Sequence, residues 1–155
     1  MTASNISVVI PAFNESETIA DLVRAIKQLY PDFEIVVIDD GSQDNTATAA
    51  AEAGASVYSH PYNIGNGAAI KTGIRMASGD ILVFMDADGQ HESKEIQQLL
   101  DHFPEYDMVV GARSSKSQAS FGRRIANMLY NFLGSYVTKF PIKDLTSGFR
   151  AVKTD

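Results

Sequence analysis

The sequence predicts a three-layer α/β/α fold on a mainly parallel sheet. Three observations carry this expectation. Short apolar runs alternate with stretches of helical periodicity, the pattern of successive βαβ units. Four of those runs end at once in polar clusters: Pro11 to Glu15, Asp39 to Asp44, Asp86 to His91 and Gly111 to Arg113. The 155 residues, 45% of them hydrophobic, suffice for one core and not comfortably for two, so a single domain over residues 1–155 is expected.

The elements follow in order. Ser7 to Ile10 is the first strand, closed by Pro11. Ile19, Leu22, Val23 and Ile26 then fall at i, i+3, i+4 and i+7, one face of a helix, with Asn14 and Glu17 as a candidate capping box. Ile35 to Ile38 is the second strand, ended by Asp39-Asp40-Gly41-Ser42. An alanine-rich helix from about Thr46 should stop at Gly54, a suitable C′ residue. A weaker strand covers Ala55 to Ser59, and Asn63 to Gly67 reads as a turn into a helix at Ala68 to Ala77. Gly79-Asp80 leads into the strongest strand, Ile81 to Met85. Ile96, Leu99, Leu100 and Phe103 mark an amphipathic helix, and Met108 to Val110 another strand. A polar loop, Ser114 to Ser120, precedes a long helix near Arg123 to Thr138, and the chain closes with Asp144 to Arg150 and a strand-like tail.

Composition narrows the function. The formal charge is −6, with a pI near 5.0, which argues against nucleic-acid binding, a task for a basic surface. An acidic protein that binds phosphates needs local cations or backbone donors. There is no cysteine, so disulfides and thiolate chemistry are excluded and a reducing compartment is permitted. No basic n-region or apolar h-region precedes the first strand, and no apolar run approaches the roughly 20 residues of a membrane span.

Open parallel sheets bind ligands outside the carboxyl ends of their strands, where the four polar clusters lie. Asp86-Ala87-Asp88 is central among them. Side chains two apart in an extended segment point the same way, so two carboxylates can share a hard divalent cation whose shell is completed by phosphate oxygens and water. Alone, such a triplet also fits a solvated acidic turn. Asp39 and Asp40 can accept hydrogen bonds from a base or ribose, and equally serve turn and cap chemistry. Gly65-Asn66-Gly67 fails the dinucleotide fingerprint, because Ile70 holds its last position and the first strand does not precede it. These glycines read as sites of close backbone approach. Arg113, Arg123, Arg124 and Arg150 are the candidate anion binders, with Arg113 at a strand end on the rim. His91 is a candidate metal ligand or plain polar surface.

Three segments together carry a resemblance: Ser7-Val8-Val9-Ile10-Pro11-Ala12-Phe13-Asn14-Glu15, Val37-Ile38-Asp39-Asp40-Gly41-Ser42 and Met85-Asp86-Ala87-Asp88-Gly89-Gln90-His91. In order and spacing the chain resembles family 2 glycosyltransferases of the GT-A fold, a Rossmann-like nucleotide-diphospho-sugar transferase fold. Asp144 to Arg150 is similar to the branch of dolichyl- and polyprenyl-phosphate sugar transferases. The resemblance implies that Pro11, Ala12, Phe13 and Glu15, with Asp39 or Asp40, cradle the base and ribose of a UDP- or GDP-linked sugar. It implies that Asp86, Asp88 and Gln90 hold Mg²⁺ or Mn²⁺ and the diphosphate. Arg113 and Arg123 or Arg124 would meet donor or acceptor phosphate, and Asp144 to Arg150, with Ser147 and Arg150, would border the acceptor. The segment departs from that branch at Asn66, where a lysine is frequent, and family members usually continue past Asp155. A C-terminally truncated catalytic domain is therefore expected, cytoplasmic in location, with peripheral contact to the cytoplasmic membrane face in the full-length protein.

The family reaction inverts the anomeric carbon by direct displacement. A lipid-phosphate acceptor has a second pKa near 6 and is largely dianionic at neutral pH, so it needs no general base. A sugar-hydroxyl acceptor, as in cell-wall or surface polysaccharide synthesis, needs one, and Asp144 is the candidate. Asp88, Arg113 and Asp144 are thus the expected catalytic residues. Two other classes remain. A nucleotidyltransferase would carry a glycine-rich, arginine-containing loop after the first strand, where this chain has Pro11 to Glu15. A non-catalytic nucleotide-binding fragment is the other.

Overall fold

A computed structural model describes residues 5–89, 91–103, 105–111 and 147–154. They build a six-stranded sheet in the order β3-β2-β1-β4-β6-β5. The strands are β1 (Ile6–Ala12), β2 (Glu34–Asp39), β3 (Ser56–Ser59), β4 (Ile81–Phe84), β5 (Met108–Val110) and β6 (Arg150–Lys153). β1 to β4 are mutually parallel, whereas β6 runs antiparallel between β4 and β5. The strand-like tail expected after Arg150 is therefore an inserted sheet member, and the sheet is mainly, not wholly, parallel.

Helices cover both faces. α1 (Ile19–Leu29), α2 (Thr46–Glu52) and α4 (Ile96–Leu100) pack on one side, where Ile19, Val23, Ile26, Ala50, Ile96 and Leu99 meet Val8, Ile10, Val37 and Val83. α3 (Asn66–Met76) covers the other, with Ala69 and Ile70 against Val9, Val36 and Ile38. β1, β2 and β4 are thus buried on both faces, which is why they read as continuous apolar runs without alternation. Gly73 lets α3 lie close to the sheet, since a Cβ there would overlap the Val9 side chain.

Several expected boundaries shift for identifiable reasons. β1 continues through Pro11 to Ala12. The Ala12 carbonyl accepts from Asp40 on the β2 side and the Val9 carbonyl from Met85 on the β4 side, so the missing Pro11 N–H faces β4. The β1–β4 register has already ended at Val9 and Phe84, so no ladder bond is lost. The capping box expected of Asn14 and Glu17 does not form. Asn14 takes a left-handed φ of 56°, its Oδ1 accepts from the Gln43 N–H at 2.9 Å, and α1 starts later, after Thr18. A capping box does close at Glu92 and Glu95, ahead of α4. α3 begins at Asn66, two residues before the expected Ala68, because Gly65 at φ 108° makes the turn. Gly54, at φ 100°, ends α2 as expected. The long helix expected near Arg123 to Thr138 lies outside the described residues.

Candidate functional site

The loops after β1, β2 and β4 meet on one rim, at the carboxyl ends of the parallel strands. Hydrogen bonds stitch the first two together. The Asn14 N–H donates to Ser42 Oγ at 2.9 Å, the Glu15 N–H to Thr46 Oγ1 at 2.8 Å and the Ser16 N–H to Asp44 Oδ2 at 3.2 Å. Asp44 also accepts from the Thr46 hydroxyl at 2.5 Å. These donors, the Thr46 hydroxyl foremost, hold the Asp44 carboxyl down at about 2.

The third loop is tied to α1. Thr18 Oγ1 stands 3.0 Å from the Ala87 carbonyl. Ala87 is buried at 4% exposure, whereas Asp86 is half-buried and Asp88 exposed. The segment is not the extended one expected: β4 ends at Phe84, and Ala87 and Asp88 form a turn that Gly89 completes at φ 71°. A fourth segment closes against Asp86: a Cβ on Gly148 would overlap the Asp86 carboxylate. Only glycine permits that approach of β6's leading residues to the aspartate.

The result is a cleft of about 440 Å³. Pro11, Ala12, Phe13 and Glu15 form one wall, Asn63, Gly65, Asn66 and Ala69 another, and Asp40, Asp86, Ala87 and Asp88 complete it. Every donor-binding residue expected from the sequence except Asp39 lines this cleft. Asp39 is buried, and its Oδ1 accepts from the Ser42 N–H at 3.1 Å, a turn role. Asp40 accepts from His60 Nδ1 at 2.7 Å and from the N–H groups of Ile64 at 3.0 Å and Gly65 at 2.7 Å. Burial pushes its carboxyl up, but these donors outweigh that and leave it below the ordinary value. The wall at 63–66 and 69 had no strong sequence signal beyond its glycines, and His60 had none, because its partner lies 20 residues away.

The cleft is anionic. Glu15, Asp40, Asp86 and Asp88 line it, and among the described lining residues there is no lysine or arginine. The Asp86 and Asp88 carboxylates suit a hard divalent ion that keeps water and takes phosphate oxygens, and such an ion needs few protein ligands. Among the described residues no third His, Cys, Asp or Glu joins them in a metal-binding group. Gly65 and Asn66, at the start of α3, line the same cleft.

Other expected residues lie elsewhere. His91 packs face to face on Phe149 with ring centroids 4.5 Å apart, and its Nδ1 lies 3.0 Å from Glu95 Oε2. Ser147 is 2% exposed, and its Oγ accepts from the Phe149 N–H at 3.3 Å. Arg150 stands at the rim opposite Phe84 in the β4–β6 register, its guanidinium 5.8 Å from the Phe84 ring centroid. Gln90, Arg113, Arg123, Arg124 and Asp144 lie outside the described residues. Among the described residues no helix is long and apolar enough to cross a membrane.

Comparison with known proteins shows the family and the fold. Residues 7–155 match the Glycosyl transferase family 2 model. The chain is 35% identical over 159 residues to an undecaprenyl-phosphate 4-deoxy-4-formamido-L-arabinose transferase of Pseudomonas fluorescens, covering 96% of this chain and 46% of that protein. It is 36% identical over 156 residues to an uncharacterized protein of Methanocaldococcus jannaschii, covering 94% of this chain and 63% of that one. The chain thus spans about half to two thirds of the length of these relatives. Glucosyl-3-phosphoglycerate synthase from Mycobacterium tuberculosis, solved with Mn²⁺, UDP-glucose and phosphoglyceric acid, superposes with a TM-score of 0.80 at 26% identity. That match covers 97% of this chain and 57% of that one. The fold is GT-A.

Proposed function

The chain belongs to glycosyl transferase family 2, and from that membership we propose that it binds a nucleotide-diphosphate sugar and supports inverting, metal-dependent transfer of the sugar to a polyprenyl phosphate. One observation carries the reading: Asp86 and Asp88 share a cleft with the end of β1, Asp40 and the start of α3. A glucosyl-3-phosphoglycerate synthase of the same fold holds Mn²⁺ and UDP-glucose, which supports a uridine nucleotide and a divalent ion here. The acceptor class rests on the undecaprenyl-phosphate transferase relative.

Asp86 and Asp88, with Gln90, would hold Mg²⁺ or Mn²⁺. That ion, when bound, neutralises the diphosphate as a leaving group. The chain's own groups do the positioning. Pro11, Ala12 and Phe13 form the wall for the base and ribose, and Asp40 offers an acceptor beside them. Thr18 and Gly148 fix where Asp86 and Asp88 stand. Arg113 and Arg123 or Arg124 would meet phosphate, and Ser147 and Arg150 belong to the segment proposed to border the acceptor. A dianionic acceptor phosphate needs no deprotonation, so orientation and leaving-group stabilisation supply the rate. We place the protein at the cytoplasmic face of the membrane, where a polyprenyl phosphate headgroup is presented.

The test is transfer from radiolabelled UDP-sugars to undecaprenyl phosphate in detergent, with Mg²⁺ or Mn²⁺ and with chelator. Metal-dependent label in the lipid fraction supports the proposal. Transfer to an oligosaccharide instead points to the hydroxyl-acceptor alternative and to Asp144 as base. Donor binding without any transfer marks the chain as a nucleotide-binding fragment.

A further inference from the structure

His60 belongs to none of the sequence motifs, yet it lies inside the hydrogen-bond system of the cleft. Its Nδ1 is 2.7 Å from Asp40 Oδ1 and its Nε2 is 2.9 Å from Thr72 Oγ1. The Asp40 carboxylate only accepts, so Nδ1 carries a proton, and in the neutral ring Nε2 accepts from the Thr72 hydroxyl. The side chains of His60 and Asp40 are 11% and 5% exposed. Asp40 follows β2, His60 follows β3 and Thr72 belongs to α3, so one buried chain of hydrogen bonds joins three elements around the cleft.

The lone-pair count gives this chain a consequence. An ionised carboxylate has about four acceptor positions. On Asp40, Oδ1 receives His60 Nδ1 and the Ile64 N–H, and Oδ2 receives the Gly65 N–H. These donors leave one position, on Oδ2, and Asp40 lines the cleft. We propose that His60, braced by Thr72, is a positioning residue that aims the Asp40 carboxylate at the nucleobase with a single acceptor, and so sets base selectivity. The inference rests on the donor-binding reading above. The uracil edge presents one imino N–H between two carbonyls and needs one acceptor. The guanine edge presents two adjacent donors and is best met by both oxygens of a carboxylate, but Oδ1 is already filled. Without His60 the carboxylate regains an Oδ1 position and can rotate, so the preference for uridine over guanosine nucleotides falls.

Calorimetric titration of the full chain with UDP and with GDP, each with Mn²⁺, tests this. The variants are His60→Ala, Thr72→Val and Thr72→Ser. Thr72→Val removes only the brace and keeps the shape, so the test survives a folding defect in His60→Ala. The wild type is expected to prefer UDP. His60→Ala should reduce the UDP-to-GDP affinity ratio by about tenfold, the loss of roughly one charge-assisted hydrogen bond's worth of aim. Thr72→Val should move the ratio the same way by less, and Thr72→Ser should restore it. A ratio unchanged in both His60→Ala and Thr72→Val overturns the inference, even if both affinities fall together, since that is the mark of a merely structural role. A folded wild type that binds neither nucleotide overturns the donor-binding reading itself, and this inference with it.

Discussion

Thr18 Oγ1 stands 3.0 Å from the carbonyl of Ala87, the residue between the two aspartates of the cleft, and 3.1 Å from Glu15 Oε2, so its one proton is shared between these acceptors. One hydroxyl at the head of α1 thereby helps hold the backbone on which Asp86 and Asp88 stand. Thr18→Val removes the donor and keeps the shape. A neutral hydrogen bond contributes about 0.5–1.5 kcal/mol, so metal-dependent nucleotide affinity should fall about two- to tenfold, and Thr18→Ser should restore it. Calorimetry with Mn²⁺ reads this. Equal affinity in Thr18→Val and wild type would remove Thr18 from the account.

Gly148 backs the Asp86 carboxylate so closely that a Cβ would overlap it. Gly148→Ala should push Asp86 aside and weaken Mn²⁺-dependent nucleotide binding about tenfold or more, with overpacking costing about 1–3 kcal/mol of stability. Titration of the folded variant checks it. Wild-type affinity in a crystal structure with Asp86 unmoved would contradict it.

Gly73 makes the opposite forecast. A Cβ there meets Val9 in the sheet, away from the cleft-lining residues. Gly73→Ala should destabilise by about 1–3 kcal/mol in urea unfolding while leaving nucleotide affinity near wild type in the folded fraction. Paired replacement with Val9→Ala should recover part of the loss, and no recovery would place the strain elsewhere.

Acid should loosen the rim. The Thr46 hydroxyl foremost, with Ser16, holds Asp44 at about 2 against an ordinary 3.8. Asp40 and Glu34 are also lowered, their hydrogen-bond donors outweighing burial. A depressed carboxyl contributes stability that is fully present above its unfolded value and is lost as pH falls through the folded one. Stability should therefore drop as pH falls from about 4 towards 2, and less steeply in Asp44→Asn. Parallel wild-type and variant curves from urea unfolding at each pH would deny Asp44 that role.

Much of this was legible in the chain because the relevant signals are local. Apolar runs bounded by Asp, Gly and Pro gave β1, β2 and β4 nearly to the residue, and the same boundaries placed Pro11 to Glu15, Asp40, Asp86 and Asp88 on one rim. What could not be read was long-range. Asn14 looked like a cap for α1 but serves the β2 loop through Gln43, 29 residues on. Thr18 meets Ala87 across 69 residues, and His60 joins Asp40 and Thr72 only once β2, β3 and α3 are assembled. β6 carries too short a pattern to announce that it would insert antiparallel between β4 and β5.

Asp86 and Asp88 are proposed to bring a divalent ion to the diphosphate of a nucleotide donor. Thermal unfolding with UDP, with and without Mn²⁺, tests it most directly in wild type and in Asp88→Asn. Ligand at about 100 times its dissociation constant should stabilise the wild type by roughly 2.7 kcal/mol. This shift should need Mn²⁺, disappear with chelator and be lost in Asp88→Asn. A shift of the same size without metal, or one that survives in Asp88→Asn, would contradict the proposal.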